Sequence, residues 1–378
     1  MKSFPVVFPR QTEGTCLIGK VTHINRKSGA PLYEIAVLGK IRTHYLVGPA
    51  AVSENTRTFH YDEDPKLSLG DVIELANGNC YVHFSEMSND ASIVVNNECN
   101  EACINCPQTD RRRNPELKNK NLQLIRLLPK GIQSLALSGG EPTLDIPALI
   151  DLIHKIYKQQ PSIHLDILTN GIVFSQYETV EALSKVLKQD QSTFCITLYG
   201  DTPSLHDAHT QVPGSFARVN VALHHLASFA YSIELRYLIT KLNYDRLPSW
   251  IEYAYDNFPF IDHISIMGME ISGYACQHAE QLYLSPSSYI PFLRQSIQKA
   301  VVRDIPVFIY NHQVCLLPKE LWKFTVSSIS DWKRGYHEKC THCDIIGYCG
   351  GFFTTSHPGY VESQVFPISL DYEREVNI

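Results

Sequence analysis

Between residues 91 and 304 the chain alternates, six times over, a short apolar run that reads as a strand with a longer amphipathic run that reads as a helix. The strand readings are ASIVVNN, SLALSGG, LDILTNG, STFCITLYG, IELRYLITKLN and HISIMGM, and helical patterns such as IPALIDLIHKIYKQQ and ARVNVALHHLASFA fall between them. Strands alternating with helices of this length argue for an α/β fold with a parallel sheet. Six units in series suit a partial (βα)6 barrel of the TIM type better than a closed one of eight. The 378 residues, 44% of them hydrophobic, supply such a barrel and two appendages. Residues 1–90 read as short β runs (PVVF, TCLIGKVTHI, LYEIAVLG, DVIELA, CYVHFS) broken by turn residues, a small β-rich domain. Residues 305–378 carry few helical repeats but four cysteines, which predicts a metal-organised extension.

The segment NNECNEACINCPQ places Cys99, Cys103 and Cys106 directly after the first strand of the barrel. A structural zinc takes four closed ligands and a cubane [4Fe-4S] cluster usually four thiolates. A trio on one loop therefore implies either a distant fourth ligand or an iron left free. Ligands of parallel α/β sheets lie at the carboxyl ends of the strands, where this trio lies. The second strand ends in LALSGGEPTL, so that Gly139 and Gly140 remove side chains where a ligand can approach and Glu141 sets a carboxylate beside them. Eleven cysteines, an odd number, favour metal thiolates over a disulfide framework. Cys16, Cys80, Cys195 and Cys276 are scattered and read as buried small residues. The first residues have no apolar signal region and no run approaches about 18 apolar residues, so neither export nor membrane spanning is expected and the protein reads as cytoplasmic. A net charge of -6 gives no global footprint for nucleic acid.

The cysteine trio followed one unit later by GGEP resembles the radical S-adenosylmethionine (SAM) superfamily over residues 91–310. The resemblance implies that Cys99, Cys103 and Cys106 hold a [4Fe-4S] cluster whose free iron is chelated by SAM, and that reductive cleavage gives methionine and a 5'-deoxyadenosyl radical. It implies that Gly139, Gly140 and Glu141 bind the SAM amino group. Thr169, Asn170 and Gly171 in LTNG fall where the third strand approaches SAM, and Thr197, Tyr199 and Arg236 are candidates for ribose and carboxylate contacts. Against this, Thr197 and Tyr199 can be lumen packing and Arg236 can pair with a core carboxylate. The position before the last cysteine, commonly aromatic in the superfamily, is Asn105 here. His206 and Asp207 in DTPSLHDAHTQVPGSF either line the substrate side or form a polar loop with a helix cap.

A second group, CTHCDIIGYCGGFF, brings Cys340, Cys343 and Cys349 together in sequence, with Cys315 upstream in YNHQVCLLP. Four thiolates could close a structural zinc or hold an auxiliary [4Fe-4S] cluster. The run resembles the SPASM or twitch extensions of peptide-modifying radical SAM enzymes, which implies the cluster. His337 and His342 read as bystanders. Arg111 to Arg113 read as a solvated loop or as a dock for a peptide or an acidic electron donor such as flavodoxin or ferredoxin. The stretches YGDTPSLHDAHTQVPGSFA, IYNHQVCLLPKELW and SISDWKRGYHEKCTHCDIIGYCGGFF resemble the His-Xaa-Ser system radical SAM maturases (C component) over about 90–355. That resemblance implies a ribosomally made substrate peptide with His-Xaa-Ser repeats, a second radical SAM enzyme and a small accessory protein. Two other readings stand beside it: a radical SAM enzyme acting on a small molecule or activating a partner enzyme, and a non-catalytic zinc-stabilised binding protein.

Overall fold

In the computed structural model, residues 2–7, 16–25, 31–37, 44–47, 58–61, 66–108, 110–330, 333–360 and 365–370 are described, and the chain divides into two units, 1–97 with 113–167 and 98–112 with 168–378. The first unit begins with a closed barrel of strands β1 (Lys2–Val7), β2 (Leu17–Asn25), β3 (Leu32–Val37), β4 (His44–Val47), β5 (Thr58–Tyr61), β6 (Val72–Ala76) and β7 (Asn79–Phe84), in the order β1-β5-β4-β3-β2-β6-β7. Alternation directs Tyr33, Ile35 and Val37 of β3 inward, where they meet Leu46, Phe59, Tyr61, Ile73 and Leu75. Closure leaves no unpaired sheet edge, which suits so small a β domain. The β-rich reading anticipated this domain but not β4 and β5. A four-residue strand offers only two inward positions, too few for a period to be read.

The same unit continues into the first three parallel strands, β8 (Asp90–Asn96), β9 (Ser134–Gly139) and β10 (His164–Thr169), paired in that order. Helix α1 (Leu117–Arg126) is tied to β8 by Asn121, which donates to the Val94 carbonyl (2.9 Å). Helix α2 (Ile146–Gln159) starts at Asp145, whose carboxylate accepts from the Ala148 amide (2.9 Å), and it buries Leu149, Leu152, Ile153 and Ile156 along one stripe.

The second unit carries β11 (Ser192–Thr197), β12 (Ser232–Leu238), β13 (His263–Met267), β14 (Val307–Tyr310) and β15 (Thr325–Val326), all parallel and paired in sequence order. Its helices are α3 (Tyr177–Ser184), α4 (Pro203–Thr210), α5 (Ser215–Ser228), α6 (Leu247–Asn257), α7 (Gly273–Gln277), α8 (Ala279–Leu282) and α9 (Pro286–Val302). On β12, Ile233, Leu235 and Tyr237 are fully buried, while the alternate positions Glu234 and Arg236 carry charge on the other face. The parallel run thus extends past residue 304 through β14 and β15, so the architecture is an α/β partial barrel with two strands beyond the six expected units. A short antiparallel pair, β16 (Arg334–Gly335) with β17 (Phe352–Phe353), closes the cysteine-rich segment between them. No helix among the described residues is long and apolar enough to cross a membrane.

Candidate functional site

The loop 98–112 leaves the end of β8 and is pinned by backbone bonds to the end of α4. Ala102 N donates to Thr210 O and Ile104 N to His209 O, both at 3.0 Å. The start of α7 grips its far side, where Ala275 N donates to Cys106 O (3.0 Å) and Ser272 Oγ to Pro107 O (3.2 Å). Gly273 is required at that grip: its φ is +54°, and a Cβ there would stand 2.4 Å from Pro107 O. The fixed loop leaves the Cys99, Cys103 and Cys106 thiols partly exposed.

Between two of these cysteines lies Glu101, buried at 6% exposure, which the sequence reading passed over. Its carboxylate accepts from Ser215 Oγ (2.5 Å) and from the Cys103 thiol (3.3 Å). His206 completes the chain: its Nδ1 accepts from Tyr199 N (3.2 Å), so Nε2 carries the proton toward Ser215 Oγ (3.2 Å). Burial pushes the His206 imidazole down to about 4, which keeps it neutral. Asp207 accepts from Gly214 N (2.6 Å) and Phe216 N (2.9 Å), capping the first turn of α5. Both residues thus take the structural alternative, one as a support for Glu101 and one as a helix cap.

Tyr199 is half-buried, stacks on the His209 ring (centroids 5.0 Å, 2° between planes) and accepts from Asn105 Nδ2 (3.1 Å). The aromatic group beside the last cysteine therefore comes from the end of β11 rather than from the loop. At the end of β10, Thr169 Oγ1 accepts from Gly171 N (3.0 Å), and Gly171, at φ +80°, turns the chain. That turn lets Asn170 donate to Asn100 Oδ1 (2.7 Å), with Cys99 Sγ at 3.9 Å. Thr197 ends β11, half-buried. Arg236 is engaged by Glu234 through two bonds, Nε to Oε1 (2.9 Å) and Nη2 to Oε2 (2.8 Å). Burial works against the Glu234 carboxylate, but Arg236 overrides it and holds the group down at about 2.

In the first unit, Gly139 adopts φ +143°, and a Cβ there would fall 2.2 Å from Asn96 O. Gly140 N donates to that same oxygen (2.9 Å), Asn96 Nδ2 donates to Glu141 O (2.8 Å), and the buried Glu141 carboxylate accepts from the Thr143 amide (3.0 Å) and hydroxyl (2.5 Å). The Gly-Gly-Glu turn is thus folded onto the residue that starts the cysteine segment. Among the described residues three buried side-chain polar atoms without a hydrogen-bond partner, Asn96 Oδ1, Asn105 Oδ1 and Arg111 Nε, fall within segment 96–111. A native fold rarely strands buried polar groups, so their concentration along this one segment fits a bound polar cofactor.

The C-terminal cysteines are arranged differently. Cys315, Cys340, Cys343 and Cys349 all line one cavity of about 340 Å3, walled by Val314, Ile345, Phe352 and Val365. Backbone amides point at the sulfurs, Gly351 N to Cys349 Sγ (3.5 Å) and Ile368 N to Cys343 Sγ (3.4 Å). His337 is occupied in a turn, accepting from Lys339 N (3.2 Å). A second cavity of about 630 Å3 opens beyond the ends of β12, β13 and β14, with Tyr283, Tyr289, His312, Phe353 and Tyr360 among its walls; Gln313 and Phe352 line both cavities.

Residues 93–253 match the family model described as the radical SAM superfamily. Over that span the parallel-sheet region is similar to the radical SAM superfamily. No curated protein matches the chain. Among solved structures, Streptococcus suis SuiB is similar to this chain at 18% identity and a TM-score of 0.46, covering 60% of this chain and 49% of that one. The native anSMEcpe with bound AdoMet and Kp18Cys peptide gives 17% and 0.45, covering 58% and 63%. Coproporphyrinogen III oxidase (HemN) from Escherichia coli gives 11% and 0.43, covering 58% and 54%. The matched region thus spans about half the length of SuiB.

Proposed function

We propose that this protein is a radical SAM peptide maturase: Cys99, Cys103 and Cys106 ligate the SAM-cleaving [4Fe-4S] cluster, and Cys315, Cys340, Cys343 and Cys349 an auxiliary one. The observation that carries the first half is the cysteine loop, pinned by backbone on both sides with its three cysteines half-buried on one short segment. Cluster and SAM together supply a 5'-deoxyadenosyl radical when bound. The chain's own residues do the rest. By the sequence resemblance, the side-chain-free Gly139-Gly140 turn and Glu141 approach the SAM amino group. Asn170 and Tyr199 hold the loop from two strand ends. Thr169, Gly171 and Thr197 are placed to border the cofactor. Arg236 reaches a SAM carboxylate only by sharing its guanidinium with Glu234.

The second half rests on the four-thiol cavity. Among the described residues no three His, Cys, Asp or Glu side chains close on one point where a single ion would sit. Thiols ringing a shared space suit the one-thiolate-per-iron pattern of a cubane better than a closed zinc tetrahedron. The aromatic cavity beside it is where we place the substrate. The peptide itself, with His-Xaa-Ser repeats, and its system partners, a second radical SAM enzyme and a small accessory protein, are carried by the sequence resemblance, as are a flavodoxin or ferredoxin donor and a cytoplasmic setting. A small-molecule substrate is the other reading that a cavity of about 630 Å3 allows.

The test is coexpression with the repeat peptide carrying deuterium in its His and Ser residues, followed by mass analysis. Transfer of deuterium into 5'-deoxyadenosine with a mass change in the peptide supports the maturase. SAM cleavage with neither change, all system components present, moves the small-molecule reading ahead.

A further inference from the structure

Arg111 does not behave as the solvated loop residue its neighbours suggest. Arg112 is exposed and pairs with Asp110 (2.9 Å), but Arg111 turns back under the cysteine loop. Its Nη1 donates to the Glu101 carbonyl and its Nη2 to the Cys103 carbonyl, both at 3.2 Å. Its guanidinium carbon stands 4.4 Å from the centre of the Tyr274 ring, at the start of α7, and its Nε is buried with no partner. Two carbonyls and a ring fix the position of this charge, and partial burial weakens its screening. The Glu101 carboxylate is the opposing charge in the same loop.

We propose that Arg111 is a positioning residue that sets the reduction potential of the group held by Cys99, Cys103 and Cys106. A fixed cation held on the backbone carbonyls of the cysteine loop favours the state with one more electron. In the redox step a one-electron reductant, dithionite in the test, loses an electron and the oxidised cluster gains it; no bond to Arg111 forms or breaks. Removing the charge therefore lowers the potential. The inference rests on the cluster reading above, and iron content keeps the two separable: if the wild-type protein binds no iron at Cys99, Cys103 and Cys106, that reading fails first.

The experiment is an anaerobic potentiometric titration of the loaded wild type, Arg111→Lys and Arg111→Gln, followed by EPR. In Arg111→Gln one reduction step should shift down by a factor of at least about ten in its equilibrium, about 59 mV for one electron. The step of the second cysteine group should stay in place as an internal reference. Arg111→Lys, which keeps the charge and loses the fork, should remain near wild type. If Arg111→Gln loads less iron while Arg111→Lys loads fully, the charge is needed to hold the cluster at all, which also supports the role. An unchanged potential in a fully loaded Arg111→Gln overturns it, and so does an Arg111→Lys variant that shifts or loses iron as far as Arg111→Gln.

Discussion

The two cysteine groups of this chain occupy opposite kinds of surroundings. The first sits on a polar loop with a buried acid, Glu101, a clamped cation, Arg111, and an Asn105 oxygen that has no partner. The second lines a cavity walled by valine, isoleucine and phenylalanine, with backbone amides aimed at its sulfurs. The four cysteines there are half-buried around an apolar space that no charged residue among those described lines. Three thiols among charges and unmatched amide groups make a holder that expects something more to arrive. On the reading proposed above, the first group carries the chemistry and the second supports it.

The sharpest way to break that contrast is to remove one group at a time. Replacing Cys99, Cys103 and Cys106 together by Ala should abolish reductive SAM cleavage, with the loss of about four irons per chain and retention of the rest. Measured 5'-deoxyadenosine under dithionite is the readout; continued formation at the wild-type rate would falsify the assignment. Replacing Cys340, Cys343 and Cys349 should have the reciprocal outcome. Again about four irons are lost, but SAM cleavage survives and only the coupled change in the peptide disappears. Stoichiometric zinc in the trio-less protein, with no residual iron, would reassign the second group to a structural site.

Much of this contrast was legible in the sequence, because each group is local. Cys99 to Cys106 and Cys340 to Cys349 are read from spacing alone, and the strand tip Gly139-Gly140 from the absence of side chains. Glu101 lay in plain sight between two motif cysteines, yet no spacing rule marks it; its partner Ser215 is 114 residues away and joins it only through the fold. Arg111 was read with Arg112 and Arg113 as one charged run, since a run of like charges carries no sign of which member turns inward. The grip of Gly273 and Tyr274 on the loop comes from an element some 165 residues on, as the Ser272 to Pro107 bond shows. Strands β14 and β15 escaped notice because four and two residues hold too little pattern. Periodicity reveals what repeats, and these contacts occur once.

The smallest expected effect concerns what braces the first loop. His206 sits under Glu101 through Ser215, buried at 1% exposure and neutral, its folded value pushed down to about 4 by burial. Unfolded, a histidine titrates near about 6.5. Lowering the pH toward that value protonates the unfolded chain and not the folded one, so the folded state loses stability progressively from about pH 6.5 down to about 4. For one such residue the loss between pH 7.5 and 6.0 is about 0.8 kcal/mol. The His206→Gln variant, which can still offer a donor toward Ser215, should lack that share of the slope when denaturant midpoints are compared at the two pH values under anaerobic conditions. His312, also near 4 and bonded to Tyr289 (2.8 Å) beside the aromatic cavity, supplies the matched control from the other region. Its own Gln variant should flatten the slope by a similar amount while leaving the Glu101 network, and with it the potential of the first cluster, unmoved. If His206→Gln leaves the slope intact, the imidazole already shares its proton with Glu101 in the folded state, and the loop is braced by an ion pair instead of a neutral relay.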